Sequence, residues 1–261
     1  SYVLRKPSFI LDDTDNAKLG QLFYKKFAKV ILSPKTFQHE FGKKHFKFNS
    51  YMELCYLHPK YFKINNDFRE LLELKNNEKY TFLRFVAWKA NHDYSHNGLS
   101  DENKIKAVEE FLKYGKVFIS SEEKLPKPLQ KYSLKVPAEK VHQILANASL
   151  FYGESATMAS ESAMLGTPAI YIDDEGRGYT DELENQYGLV FNFSESHSNQ
   201  LKSISKGIEI LKEKKDKYKL KRIELLKDKI NLTDFLNWFI VNYPESFHVL
   251  NKNPEYQSRF K

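Results

Sequence analysis

Short apolar runs alternate with longer amphipathic runs from Tyr80 to about residue 192. Continuous short apolar runs bounded by turn residues are typical of buried parallel strands, whereas apolar residues three or four positions apart are typical of helices. The pattern predicts strands over 81–87, 117–120 and 188–192, helices over 101–114, 138–147 and 181–186, and a strand, a helix and a further strand within 148–172. This alternation predicts a doubly wound α/β domain whose ligand crevice lies beyond the carboxyl ends of its parallel strands.

The first 80 residues carry a less complete version of the same pattern. They predict short strands over 8–11, 30–32 and 46–48, a helix over 16–28 and a linker region around 57–79. A complete Rossmann-type domain has more strands than this. We therefore expect a partial Rossmann-like domain over 1–60, a linker over 61–79, a second Rossmann-like domain over 80–230, and a helix and tail over 231–261.

The segment 148–172 carries the strongest functional signal. Gly153 lets the backbone turn sharply and lets a ligand approach, and Ser155 is a good N-cap for the helix that follows. A helix that follows a parallel strand directly points its free N–H groups and its positive dipole end to the edge where phosphate binds. Thr157 and Glu161 share one face, so Glu161 lies within reach of a ribose. The alternative is an ordinary strand–helix unit in which Ser155 only caps the helix and Glu161 is solvated.

The predicted strand 81–87 and the polar loop after it carry further polar groups that open at the same edge. An unpaired charge inside an apolar strand is costly, so Arg84 is expected to form an ion pair or to bind a ligand anion. His92 beside Asp93 could act as an acid/base or bind phosphate, and Trp88 could stack on a base or a sugar. The alternatives are that Trp88 packs in the core and that His92 is solvated.

Composition narrows the class of protein. The chain has 261 residues, of which 41% are hydrophobic, and no apolar run approaches the ~20 residues that span a bilayer. No signal-like segment is evident, and the single cysteine, Cys55, fits a reducing compartment and is interpreted as a small hydrophobic residue. We therefore expect a globular cytoplasmic protein.

The net charge of +7 is concentrated in the stretch 202–222, where lysines surround isoleucines and leucines at helical spacing. The direct interpretation is one or two amphipathic helices with a solvated basic face. Such a face could also approach anionic lipid headgroups, and peripheral contact with the inner face of a membrane is therefore a second interpretation. Nucleic-acid binding is not expected because no recognised motif accompanies the lysines. The histidines show no metal-ligand spacing, so no metal site is expected.

Five segments together resemble a known family. They are Asp12-Asp13-Thr14, Leu83-Arg84-Phe85-Val86-Ala87-Trp88, Asn91-His92-Asp93, Val117-Phe118-Ile119-Ser120-Ser121-Glu122, and Gly153-Glu154-Ser155-Ala156-Thr157 with its continuation to Leu165-Gly166-Thr167-Pro168. The last resembles the donor-binding segment of the UDP-N-acetylglucosamine 2-epimerase and GT-B glycosyltransferase superfamily. The whole set is similar to the glycosyltransferase-like family DUF354.

The resemblance implies a GT-B-like fold and a donor site. It implies that Ser155, Ala156 and Thr157 lie near the diphosphate and that Glu161 binds the ribose. The other residues expected in the nucleotide site are Gly153, Glu154, Arg84, Trp88, Asn91 and Asp93. The superfamily usually has glycines where this chain has Ala156 and Thr157, and an acid where it has Ser160, which puts epimerase chemistry in doubt.

The function that the resemblance implies is transfer of a sugar from a nucleotide-diphosphate sugar to a glycan or lipid-linked acceptor, as in polysaccharide biosynthesis, without a cofactor. Asp13 is the expected general base, with His92 as a second acid/base candidate, although Asp12 and Asp13 are equally typical of turns and helix caps. The alternatives are an epimerase-like enzyme and a non-catalytic nucleotide-binding fragment. The resemblance also implies that the first part of the N-terminal domain is missing and that the helix near 231–241 crosses back onto that domain.

Overall fold

A computed structural model describes residues 6–65, 68–87, 98–134 and 137–261. The larger of two sheets has five parallel strands in the order β5-β4-β6-β7-β8. These are β4 (Tyr80–Phe85), β5 (Lys116–Ser121), β6 (Leu150–Gly153), β7 (Ala169–Ile172) and β8 (Val190–Phe193). The central strands β6 and β7 are buried along their whole length, which explains their unbroken apolar sequences.

Helices connect these strands and cover both faces of the sheet. They are α4 (Asp101–Leu112), α5 (Val141–Asn147), α6 (Ala156–Leu165), α7 (Gly178–Glu182), α8 (His197–Lys212) and α9 (Asp216–Asp228). In chain order the strands lie 2-1-3-4-5, so the chain moves outward in opposite directions from β4 and β6. Sheets of this type bind ligands at the carboxyl ends of the two strands where the direction changes.

The smaller sheet is also parallel and has the order β1-β2-β3. Its strands are β1 (Phe9–Leu11), β2 (Val30–Pro34) and β3 (His45–Phe48), with helix α1 (Lys18–Phe27) between the first two and the short helices α2 (Leu54–Leu57) and α3 (Phe68–Leu71) after the third. The exposed side chains of α1 include Leu19, Leu22, Phe23 and Phe27.

The C-terminal helices α10 (Leu232–Val241) and α11 (Glu245–Lys252) pack on this smaller sheet. Phe235 stacks on Phe46 with the ring centroids 6.0 Å apart, and Phe239 belongs to the same apolar core. A 3₁₀ segment over Pro254–Phe260 completes the chain, and the Asn231 amide donates to the carbonyl of Phe260 at 2.7 Å. Residues from the N-terminal and C-terminal parts of the described chain therefore form one hydrophobic core.

An ion pair links the end of α7 to the segment that follows α9. Lys229, at the end of α9, places its Nζ 2.8 and 2.9 Å from the two carboxylate oxygens of Glu182, which is the last residue of α7. The hydroxyl of Tyr51, which follows β3, donates to the same carboxylate. The Lys229 side chain is 4% exposed and that of Glu182 is 22% exposed, so the pair is largely shielded from solvent.

The predicted fold class, α/β with parallel sheets, is confirmed, and two local predictions need correction. The predicted polar loop 173–180 ends earlier, because α7 already begins at Gly178. Gly178 packs closely on the smaller sheet's side of the chain, since an added Cβ would lie 2.3 Å from the carbonyl oxygen of Thr36. The region around 57–79, expected as a linker, contains α3. No helix in the described parts of the chain is long and apolar enough to span a membrane.

Candidate functional site

The crevice at the carboxyl ends of β4 and β6 brings together most of the described candidate residues. Arg84 of β4 pairs in register with Gly153 of β6, and α6 begins three residues later. An alanine Cβ at Gly153 would lie 2.1 Å from the carbonyl oxygen of Arg84. The neighbouring strand therefore requires glycine at position 153. The sequence analysis attributed this glycine to the turn and to the approach of a ligand, and did not include the contact with the strand.

The N-terminus of α6 faces this crevice. Ser155 has extended backbone angles and its Oγ accepts a hydrogen bond from the Met158 amide at 3.4 Å, which confirms the predicted N-cap. The side chain of Thr157 in the first turn is exposed, and Ala156 is partly buried. The backbone N–H groups of Ala156 and Thr157 have no hydrogen-bond partner within the helix, because they lie in its first turn. The helix can therefore offer two amides and its dipole to an anion.

Glu154 has a structural task. Its buried carboxylate accepts hydrogen bonds from the Val86 amide at 3.0 Å and from the Leu99 amide at 2.5 Å. Val86 follows β4 and Leu99 precedes α4, so Glu154 holds the end of the strand close to the start of the helix. The predicted site residues Trp88, Asn91, His92 and Asp93 lie outside the described residues.

Arg84 forms an ion pair, which is one of the two interactions that the sequence predicted for it. Its guanidinium pairs with Glu122, which follows β5, and donates to Ser120 Oγ at 2.7 Å. The other carboxylate oxygen of Glu122 accepts from the Ala87 amide at 3.0 Å. The Arg84 Nε atom is buried and has no hydrogen-bond partner among the described residues. A direct contact of Arg84 with a ligand stays a prediction.

Glu161, one turn along α6 from Thr157, lies at the junction of the two sheets. Its Oε1 accepts hydrogen bonds from the Tyr56 hydroxyl at 3.0 Å and from His142 Nε2 at 2.9 Å. The residue is buried, so the alternative of a solvated Glu161 is wrong. Its Oε2 accepts no hydrogen bond from any described residue. Tyr56 and His142 orient the carboxylate, and neither was identified from the sequence.

Asp12 and Asp13 follow β1 on the opposite side of the junction. Asp12 accepts from the Thr14 amide at 3.0 Å, which is the predicted turn chemistry, but the cap position of α1 is Ala17, so the helix-cap interpretation is wrong. Asp13 accepts from the Thr14 hydroxyl at 3.2 Å. Burial, with smaller contributions from neighbouring carboxylates, raises the pKa of Asp13 above its usual value.

Glu53 is a further acidic residue of this junction, and sequence reasoning missed it. It precedes α2 and is 4% exposed. Burial, with smaller contributions from the charges of Asp13 and Glu161, raises the pKa of Glu53 to about 8. The hydroxyl of Ser160 on α6 faces Glu53 closely enough to lower this pKa slightly, although its geometry is not that of a normal hydrogen bond. A signal was present, because Glu53 interrupts an apolar run just as Arg84 does.

Tyr179 of α7 links the two walls of the site. Its buried hydroxyl faces the Thr157 hydroxyl, and burial together with the charges of Glu53 and Asp13 raises the pKa of Tyr179. Arg177, just before α7, supplies a cation near the end of β7 and lies 3.5 Å from Glu175. The α6 N-terminus and a group of carboxyl groups therefore face each other across one junction.

The basic stretch 202–222 forms α8 and α9, and some of its cations are not solvated. Lys215 donates to the Ala146 carbonyl near the end of α5, at 3.1 Å, and Arg222 donates to the Met164 carbonyl near the end of α6, at 2.6 Å. These cations neutralise the negative ends of two helices. The basic face that the sequence predicted to be solvated is therefore partly buried at Lys215 and Arg222.

Two smaller predictions concern metals and the cysteine. Among the described residues no group of three or more histidine, cysteine, aspartate or glutamate side chains could hold a metal ion. Cys55 is partly buried, and burial raises the pKa of its thiol to about 11, so the thiolate is scarce at neutral pH. The thiol therefore has the character of a small hydrophobic group.

Comparison of the sequence with protein-family models and with curated proteins finds no match. Solved structures do match. The UDP-N-acetylglucosamine 2-epimerase from Rickettsia bellii has a TM-score of 0.57 and 14% identity, over 95% of this chain and 69% of that chain. Os79 from O. sativa in complex with UDP has a TM-score of 0.55 and 12% identity, over 92% of this chain and 58% of that chain.

A third structure, the Methanocaldococcus jannaschii UDP-GlcNAc 2-epimerase in complex with UDP-GlcNAc and UDP, has a TM-score of 0.50 and 13% identity over 82% of this chain and 71% of that chain. In several of the similar structures, including Os79, this chain spans less than two thirds of the length. At these identities the likeness establishes the GT-B-like α/β fold.

Proposed function

We propose that this chain binds a nucleotide-diphosphate sugar at the N-terminus of α6 and that it belongs to a glycosyltransferase. The observation that carries the proposal is the position of the α6 N-terminus, which lies where the strand order of the larger sheet changes direction and faces the carboxyl groups of Asp13 and Glu53 across the junction. Two of the proteins with a similar fold have UDP in their structures, which supports a nucleotide diphosphate as the ligand.

Each group has a defined task in this proposal. The amides of Ala156 and Thr157 bind the diphosphate and stabilise the negative charge that develops on it when it leaves. The free oxygen of Glu161 accepts a hydrogen bond from a ribose hydroxyl. Asp13 takes the proton of the acceptor hydroxyl as its oxygen forms a bond to the anomeric carbon and the bond from that carbon to the diphosphate breaks.

The raised pKa of Asp13 supports its assignment as the base. A carboxylate with a higher pKa takes a proton more readily than an ordinary surface aspartate does. Epimerase-like chemistry is the second candidate, because Asp13 and Glu53 form the kind of carboxyl pair that moves protons at a sugar carbon. Release of nucleotide that requires an acceptor favours transfer, and conversion of the sugar without an acceptor favours epimerisation.

We expect Thr157→Glu to weaken binding of UDP by at least about tenfold. The new carboxylate occupies the second position of α6, where it is compatible with the helix dipole but repels a diphosphate bound to the first-turn amides. Isothermal titration calorimetry with UDP, GDP, CDP and CMP measures the affinity and identifies the base. Glu161→Gln, which replaces the proposed ribose acceptor, is expected to weaken binding of the same nucleotide.

The matched control is Ser198→Glu, which places the same charge at the second position of α8, an exposed position on the helix that follows β8 instead of β6. This variant is expected to bind nucleotide as the parent does. Absence of binding by the parent to all four nucleotides, or equal binding by the parent and Thr157→Glu, would exclude the α6 N-terminus as the donor site.

The proposal includes a lipid-linked acceptor and peripheral membrane contact through α9. Leu220 and Ile223 are exposed on this helix, with Lys219 and Lys227 one turn on either side of Ile223. We expect the chain to co-sediment with vesicles that contain phosphatidylglycerol and not with pure phosphatidylcholine vesicles. Serine at both Leu220 and Ile223 should reduce the bound fraction, whereas Val241→Ser, at a more exposed apolar site on α10, should not. Equal binding to both vesicle types would refute an electrostatic contact.

A further inference from the structure

A cavity of about 610 Å³ lies at the opposite end of α6 from the proposed donor site, where α5 and α6 end beside α9. Its lining includes three cations and three apolar side chains, which are Lys215, Lys219, Arg222, Ile64, Leu165 and Ile223. Because α6 has ten residues, about 15 Å of helix separates the cavity from the amides of Ala156 and Thr157. A ligand in the cavity would therefore not compete with a nucleotide in the crevice.

The ends of the two helices hold two of these cations in place. Lys215 Nζ donates to the carbonyl of Ala146 at 3.1 Å, and Arg222 Nε donates to the carbonyl of Met164 at 2.6 Å. Gly166 ends α6 with left-handed backbone angles, and a Cβ added there would lie 3.0 Å from Cδ of Arg222. Glycine therefore lets the Arg222 side chain pass close over the helix end. Both cations are in position before a ligand binds.

Most of the hydrogen-bond donors of these two cations remain for a ligand. An ammonium has three N–H groups and a guanidinium has five, and the side chains of Lys215 and Arg222 each make one hydrogen bond to a described residue. Burial, with a smaller contribution from Lys219, lowers the pKa of Lys215 to about 8, and burial also lowers the pKa of Arg222. Both cations have therefore lost solvation, and an anion beside them would stabilise their charges.

The rest of the lining indicates the class of ligand. Lys219 is exposed and lies 3.0 Å from Asp216, so it adds less positive potential than the two buried cations do. Ile64 and Ile223 line the cavity and are 43% and 47% exposed, so they extend the apolar lining to the protein surface. Guanidinium and ammonium groups both bind phosphate oxygens, and the cavity has the volume of a small-molecule site. This combination fits a phosphate group that carries an organic substituent.

We propose that this cavity binds an organic phosphate, with Lys215 and Arg222 as the groups that bind its phosphate oxygens. The organic substituent lies against Leu165 and Ile223. The phosphate can belong to a soluble ester or to the headgroup of an anionic lipid, since α9 also carries the exposed Leu220 near Ile223. The soluble source is independent of the proposed function, whereas the lipid source rests on the membrane contact proposed there.

Isothermal titration calorimetry with glycerol 3-phosphate tests the soluble source, with glycerol as the uncharged comparison. Lys215→Met and Arg222→Met each remove one cation and keep an apolar stem. Each variant is expected to weaken binding at least about tenfold, because charge-assisted hydrogen bonds are lost. Circular dichroism checks that both variants are folded. Lys202→Met, which removes an exposed lysine of α8, is the matched control and should bind as the parent does.

Co-sedimentation with phosphatidylcholine vesicles that contain phosphatidic acid tests the lipid source. If the lipid is the ligand, Lys215→Met reduces the bound fraction more than Lys202→Met, which removes the same charge, and glycerol 3-phosphate competes with the vesicles. If the ligand is soluble, glycerol 3-phosphate binds to the parent, and Lys215→Met co-sediments to the same extent as Lys202→Met. Either result supports the site and identifies the source of its phosphate.

Equal affinity of the parent, Lys215→Met and Arg222→Met for glycerol 3-phosphate would overturn the inference. Failure of the parent to bind glycerol 3-phosphate, together with equal co-sedimentation of Lys215→Met and Lys202→Met, would also overturn it. Neither result bears on the donor site, because UDP binding that is weakened by Thr157→Glu and unchanged by Lys215→Met reports on α6 alone. A parent that binds glycerol 3-phosphate but no nucleotide would overturn the donor site and leave this inference intact.

Discussion

Gly153→Ala is expected to prevent folding of the larger sheet. The added methyl group would lie 2.1 Å from the carbonyl oxygen of Arg84, 2.9 Å from its carbonyl carbon and 3.0 Å from its nitrogen. All three are backbone atoms of β4, which is hydrogen-bonded between β5 and β6 and cannot move aside. Overpacking at side chains that can adjust costs about 1 to 3 kcal/mol. A clash between central strands should exceed this range.

The matched control is Gly20→Ala in α1, where an added Cβ meets no atom within 4 Å. Alanine favours a helix over glycine by roughly 1 kcal/mol, so this variant should be slightly more stable than the parent. Circular dichroism during urea unfolding measures both effects. A Gly153→Ala protein as stable as the parent would show that β4 and β6 are not paired in the register described above.

The larger sheet and the α6 N-terminus could be predicted because their signals are local. Each buried strand is an apolar run, each connecting helix has its own period, and Ser155 caps the helix that follows it in sequence. The close contact that requires Gly153 could not be predicted, because it depends on the register between β4 and β6. A glycine at a strand end has the same sequence signal whether a turn or a neighbouring strand requires it.

The acidic wall of the site depends on contacts between distant segments. Tyr56 reaches Glu161 across 105 positions of sequence, and no local pattern marks this pair. From the sequence alone, Glu161 could therefore be interpreted as a solvated residue, because the packing of α2 on α6 has no local sequence signal. Glu53 is different, since a charged residue inside an apolar run is itself a signal. The reasoning that identified Arg84 as needing a partner applies equally to Glu53.

Glu53→Gln is expected to stabilise the protein at neutral and alkaline pH. The pKa of this carboxyl is about 8 in the folded state and 4.5 in the unfolded chain. Between these two values the folded state holds a proton that the unfolded state has lost, so the free energy of unfolding falls as the pH rises. Glutamine does not titrate. The variant should therefore match the parent near pH 4, exceed its stability by about 3 kcal/mol at pH 7, and exceed it by about 5 kcal/mol above pH 8.

Urea unfolding at pH 4, 7 and 8.5 measures this difference, with Glu139→Gln as the exposed control that should follow the parent at each pH. A difference between Glu53→Gln and the parent that does not change with pH would show that the carboxyl is solvated or paired in the folded protein. A difference that follows the pH as expected would show that the folded protein holds this carboxyl at a cost in stability, and residues held at such a cost cluster at functional sites.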